Sequence, residues 1–166
     1  MLFFKTWRCH FKHFIMLLTL VLTTFSAIGQ VKPPAPMSVS NSQSLNFGVF
    51  SQPDDLGGTL TFSSTGVRST TGNIYTIGSS GYYAIFTVTS VPGTQIVLLN
   101  EPAFILTGSN GGSIVLHIGS PYPTCPYTTT STSTQIQIGG TLTIGSRSAN
   151  PPGSYSGTFA VTFNNE

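Results

Sequence analysis

The chain closes on "PGSYSGTFAVTFNNE", residues 152–166, and this stretch decides the fold class. Tyr155, Gly157, Phe159, Val161 and Phe163 alternate with Ser156, Thr158, Ala160, Thr162 and Asn164. Successive side chains of a strand point to opposite faces of a sheet, so a period of two predicts one strand over 155–163 with an apolar face toward a core. Such a strand needs neighbours already made, and the chain before it supplies them. Short β-rich runs at 45–50, 59–63, 74–77, 83–89, 95–99, 104–106, 113–118, 135–138 and 141–144 are separated by turn clusters such as Pro92-Gly93, Asn110-Gly111-Gly112 and Pro151-Pro152-Gly153. No helical periodicity follows residue 30. Strands at this spacing predict an all-β antiparallel sandwich over 44–166. Its expected core is Phe47, Leu60, Phe62, Ile74, Phe86, Val88, Ile96, Leu98, Val115, Ile144, Tyr155, Phe159 and Val161.

The first thirty residues read differently. Lys5, Arg8 and Lys12 precede the apolar run 14–24, and Ala27 and Gly29 provide small residues at a cleavage site before Gln30. The pattern predicts a cleaved signal peptide over 1–29 rather than a membrane span, which needs about twenty apolar residues. Export to the periplasm, outer surface or medium follows. The mature chain then holds Lys32, Arg68 and Arg147 against Asp54, Asp55, Glu101 and Glu166, a net charge of −1. That balance offers nothing to nucleic acid or to an anionic membrane surface. Cys125 is left alone once Cys9 departs, so no intrachain disulfide is expected.

Chemistry-bearing residues are few. His117 is the single histidine of the mature chain, and no Gly-x-Ser-x-Gly elbow occurs. Asp54-Asp55 before Leu56-Gly57-Gly58 reads as a turn, because Asp and Gly suit turn geometry, and Ca²⁺ wants roughly six to eight oxygens. No catalytic residue, cofactor or metal site is expected, and the protein is read as not an enzyme. Two other features remain. The loop "SPYPTCPYTTTSTST" (120–134) presents Tyr122, Cys125 and Tyr127 as a candidate ligand loop, with an odd thiol that invites pairing between chains. The sequence Gly57-Gly58-Thr59-Leu60-Thr61-Phe62 is echoed by Gly139-Gly140-Thr141-Leu142-Thr143-Ile144, which marks two equivalent strands or simply the residues strands begin with.

"LNFGVF" (45–50), "GGTLTFSSTGVRSTTG" (57–72), "GGTLTIG" (139–145) and "PGSYSGTFAVTFN" (152–164) together resemble the bacterial secreted family called domain of unknown function 4402. Similar endings occur in spore-coat-protein-U-like and chaperone–usher pilin domains. The resemblance implies an immunoglobulin-like, pilin-like sandwich in an envelope or surface setting, and it brings no catalytic residues. In pilin-type subunits a neighbour's extension fills a groove by β-strand addition. By that likeness Tyr155, Phe159, Val161 and Phe163 form the candidate assembly strand. The Pro/Ser-rich leader 30–43 is the candidate donor, with Val31, Met37 and Val39 on its apolar face. The expected function is a non-enzymatic structural or adhesive surface protein whose partners are itself, other surface subunits, a glycan or a host protein. The competing expectation is a stand-alone sugar- or protein-binding module using Tyr82, Tyr83, Tyr122 and Tyr127.

Overall fold

The sandwich is made of two layers in which every strand pair is antiparallel. The computed structural model describes residues 36–100 and 103–165. The expected signal segment 1–29 with Cys9, leader positions 30–35 with Val31 and Lys32, and the acids Glu101 and Glu166 lie outside the described residues. In the first layer β1 (Ser38–Gln43) pairs with β6 (Ala84–Thr89), whose other edge takes β11 (Ser133–Ile138). The chain leaves β1, bridges Asn46 to Tyr82, and enters β2 (Val49–Ser51), which pairs with β5 (Tyr75–Ile77).

The second layer is a six-stranded sheet in the order β13 (Tyr155–Ser156), β8 (Phe104–Gly108), β9 (Ser113–Ile118), β12 (Gly140–Ile144), β3 (Gly58–Phe62) and β4 (Arg68–Gly72). A smaller sheet places β7 (Gln95–Asn100) between β10 (Tyr127–Thr128) and β14 (Val161–Asn165). Two apolar clusters fill the interior. One joins Phe47 and Ile74 to Leu60, Phe62, Ile114, Leu116, Leu142 and Ile144. The other joins Ala84, Val88, Ile136 and Ile138 to Ile96, with Leu98, Val161 and Phe163 packed against it. Leu45, Ile118 and Phe159 touch both clusters.

The two echoed sequences turn out to be neighbours. β3 and β12 lie side by side, with Leu60 opposite Leu142 and Thr61 opposite Thr141. Their alternation puts leucines inward and threonines outward, where Thr61 and Thr141 share a hydroxyl hydrogen bond of 2.9 Å. Gly139 explains how the second copy reaches this place. It joins β11 in the first layer directly to β12 in the second. A Cβ there would strike the main chain of Phe62, Ser63 and Ser64, so only glycine lets the crossing strand lie against the end of β3.

Three expectations are corrected. The first is that Val115 belongs to the core: it is half-buried, whereas Ile114 and Leu116 on either side of it are buried. Three consecutive apolar residues carry no alternation, and the pairing of Leu116 with Leu142 sets the register. Second, 155–163 is not one strand. Residues 157–160 leave the ladder, and the chain passes from the edge of β8 to the edge of β7. Third, the sandwich begins before 44, because β1 takes Ser38–Gln43 from the expected leader and registers Val39 on Val88.

Leu60→Ala, at a fully buried position, should lower unfolding stability by about 2–5 kcal/mol in urea titration, through lost burial and the cavity left behind. Gly139→Ala should cost about 1–3 kcal/mol, because the main chain around the crossing must shift. Thr143→Ala, on the outer face, should stay within about 0.5 kcal/mol.

Candidate functional site

Two segments far apart in the chain face each other across a cleft of about 830 Å³. One wall is the stretch from Asn41 to Gln52. The other runs from Asn150 to Phe159. Leu106, Ile114, Leu116, Leu142 and Ile144 of the six-stranded sheet form the floor. Phe86 and Phe159 stand at one end, with ring centroids 6.3 Å apart and planes at 80°.

Local sequence explains both walls. Asn46 exchanges main-chain bonds with Tyr82 at 2.8 Å each way, so the groups of Leu45 and Phe47 on either side of it point away from that neighbour. Asn46 Oδ1 also accepts the N–H of Gly48 at 2.7 Å, and Gly48 has φ of 73°. A side chain at 48 would run into the main chain of Ser80. Arg68 braces this wall from outside, its guanidinium donating to Val49 O at 2.7 Å and Gly78 O at 3.2 Å. Opposite, Tyr155 donates its hydroxyl to Pro151 O at 2.7 Å, and Asn110 Nδ2 donates to Pro152 O at 2.7 Å. These bonds hold the Pro-Pro-Gly turn against β8. Beyond Ser156 the chain detaches. Among the described residues the main-chain groups of Leu45, Phe47 and 157–159 make no hydrogen bond. Two unpaired strand edges therefore border one apolar floor. Val49 and Ile77, 56% and 53% exposed, add apolar surface at the rim.

Of the candidate assembly strand, Tyr155 and Phe159 line the cleft. Val161 and Phe163 instead pack inward, half-buried, with Phe163 5.7 Å from Phe86 between ring centroids. The donor positions divide as well: Met37 packs against the second cluster and Val39 sits in β1.

The candidate ligand loop is tied down rather than presented. Tyr122 exchanges main-chain bonds with Gln137 at 2.8 and 2.7 Å, and Tyr127 is registered on Ile96 in β10. Buried Thr129 bonds Thr94, Gly93 and Val91. Tyr122 is exposed, whereas Tyr127 and Cys125 are half-buried, and no ring contact joins the two tyrosines among the described residues. The peptides Tyr122–Pro123 and Cys125–Pro126 are cis. Tyr82 is exposed beside the cleft wall, and Tyr83 packs on Phe62 at 6.5 Å. No ring contact joins any two of the four tyrosines among the described residues. His117 projects from the outer face of β9 opposite Thr141. Asp54 accepts the N–H of Leu56 at 3.0 Å and a bond from Asn73 Nδ2, as a turn residue does.

Burial raises the Cys125 thiol above its ordinary range, and a backbone hydrogen bond from Leu98 only partly opposes this. The folded state therefore favours the neutral thiol. Its stabilising share is complete below the unfolded pKa and is lost as pH rises through the folded one.

The cleft escaped sequence reading because its walls, 41–52 and 150–159, lie far apart in the chain. The available signal was Gly157 itself, a residue without a side chain to pack on the inward face of an alternating run.

Comparison with known families identifies this architecture. The model described as "Domain of unknown function (DUF4402)" matches residues 37–164. The chain belongs to this family. The matched segment of the DUF4402 chain starts at Met37, one residue before β1, and ends inside β14, so it includes both cleft walls. Comparison with curated proteins found no match, and neither did comparison with solved structures.

Cys125 of this DUF4402 domain should react with a thiol-specific disulfide reagent at least tenfold more slowly when folded than in urea, and stability should fall as pH rises through the thiol range. Rapid labelling of the folded chain, or a disulfide-linked dimer as the main species after oxidation, would contradict this.

Proposed function

We propose that this protein is a non-enzymatic, exported envelope or cell-surface component, structural or adhesive, that associates by β-strand addition at its cleft. One observation carries the reading: two unpaired strand edges border a single apolar floor. Unpaired N–H and C=O groups in a row form a template for another strand, and soluble proteins usually cover or blunt such edges. An extended peptide satisfies both edges and lays alternate side chains on the leucines and isoleucines below. The same geometry explains why apolar side chains remain at the rim, since patches of that kind mark interaction sites. The likeness of the C-terminal motif to fimbrial-type domains supports this reading. The signal-like pattern of residues 1–29 supports the exported setting of this reading.

The location of the groove differs from the simplest expectation. Phe163 and Val161 are covered by the protein's own second cluster. The strand-accepting surface lies instead against 44–52 and 151–159. Any donor segment ends before Ser38, because β1 is needed for the protein's own first layer.

Purified protein starting at residue 30, incubated with an acetylated and amidated peptide of alternating valine and threonine, tests the reading by hydrogen–deuterium exchange. The amides of Leu45, Phe47 and 158–159 should exchange at least tenfold more slowly with peptide bound, while 120–128 stay unchanged. Ligand binding without protection at these amides, abolished by Tyr122→Ala, would move the function to the stand-alone sugar- or protein-binding alternative.

A further inference from the structure

We infer that the strand accepted by the cleft is acidic at one end, with an aspartate or glutamate side chain placed against Arg147. This inference rests on the strand-addition reading above and adds the direction and charge of the occupant. The walls run in opposite senses: 44–52 leads toward Gln52, whereas 151–159 leads away from that end and toward Phe86. An inserted strand is therefore antiparallel to one wall and parallel to the other whichever way it enters. Main-chain pairing then discriminates only weakly between the two directions, because parallel and antiparallel ladders differ slightly in stability. The choice falls to side chains at the ends.

Those ends differ in charge. At the Phe86 end the described lining carries no charge, with Leu45, Phe86 and Phe159 beside Asn41, Ser44 and Thr158. At the other end Gln52 Nε2 donates to Gly145 O at 2.7 Å and brings the first wall to the turn that carries Arg147. Asn150, itself buried, locks that turn: its Oδ1 accepts the N–H of Gly145 at 2.6 Å and its Nδ2 donates to Ser113 O at 2.6 Å. Arg147 is thus mounted on a fixed backbone with an exposed side chain. Among the described residues no acidic side chain lines the cleft. Among the described residues the other cation is Arg68, already bonded to Val49 and Gly78. Arg147 is the charge at the cleft mouth that no described acidic residue answers, and a guanidinium fork pairs naturally with a carboxylate. An extended segment of another chain, alternately apolar and ending in an acid beside Arg147, answers the floor, both edges and the charge together.

Three acetylated, amidated peptides with the same alternating valine–threonine core test this by fluorescence anisotropy: one neutral, one with two aspartates at its N-terminal end, one with them at its C-terminal end. One acidic peptide should bind about two- to fivefold more tightly than the neutral one, the size expected for an exposed pair. The gain should vanish in Arg147→Gln and in 0.5 M salt, where screening is strong. Arg147→Glu should invert the preference, with unchanged melting temperatures showing that both variants fold. Equal binding of all three peptides, or a gain that survives Arg147→Gln, would overturn the inference and leave strand addition standing. Failure of every peptide to bind would end both.

Discussion

The row Leu60–Leu142–Leu116 holds the second layer together. These side chains lie directly opposite one another on three adjacent strands and are 0%, 3% and 2% exposed. Cross-strand pairs are the unit of sheet stabilisation. Here one row fixes the register of β3, β12 and β9 together. Ile114 and Ile144 then face the same interior, and threonines fall on the opposite, hydrated face. Slipping any of the three strands by one residue would bring threonines or His117 inward and leucines into water.

From that row the rest of the architecture follows through two glycines. Gly139 lets one continuous run of chain serve both layers, so β11 pairs with β6 while β12 pairs with β3 and β9. Gly157 ends the short pairing of β13 with β8, at a place where a Cβ would strike Ile105 O and the Leu106 side chain. The chain then crosses to β7 with Phe159 as the pivot. That ring packs on Phe104 at 6.0 Å and Phe86 at 6.3 Å, and it links the two apolar clusters. Each crossing joins local backbone freedom to a long-range packing consequence.

The cleft is the cost of this arrangement and the basis of the functional reading. The segments 44–52 and 151–159 border the same floor, and a further strand between them would close the gap. Burying Val49 and Ile77 would stabilise the closed form by roughly 1.5–3 kcal/mol for each side chain fully covered. On the strand-addition proposal, that exposed apolar rim supplies the driving force for an added strand. Polar Ser and Thr side chains cover the outer sheet face and keep β4, the opposite edge, hydrophilic. Such a surface discourages pairing there.

By itself the sequence determined the fold class, because period-two alternation and turn residues are local properties. It also picked out much of the core, from Phe47 and Leu60 to Val88 and Ile96, wherever one apolar residue alternated with polar neighbours. It went astray at Ile114-Val115-Leu116, where all three residues are apolar and only a partner strand sets parity. It read 155–163 as one strand because alternation continues unbroken across Gly157, although the hydrogen-bonding partner changes there. Tertiary structure alone decided that the two Gly-Gly-Thr-Leu-Thr segments are neighbours, that Ser38–Gln43 belongs to the fold, and that two chain edges enclose a cleft beside Arg147. The physical reason is the same in each case: a strand's faces are encoded within it, but its partners lie far away in sequence, and pairing is settled only when the layers pack.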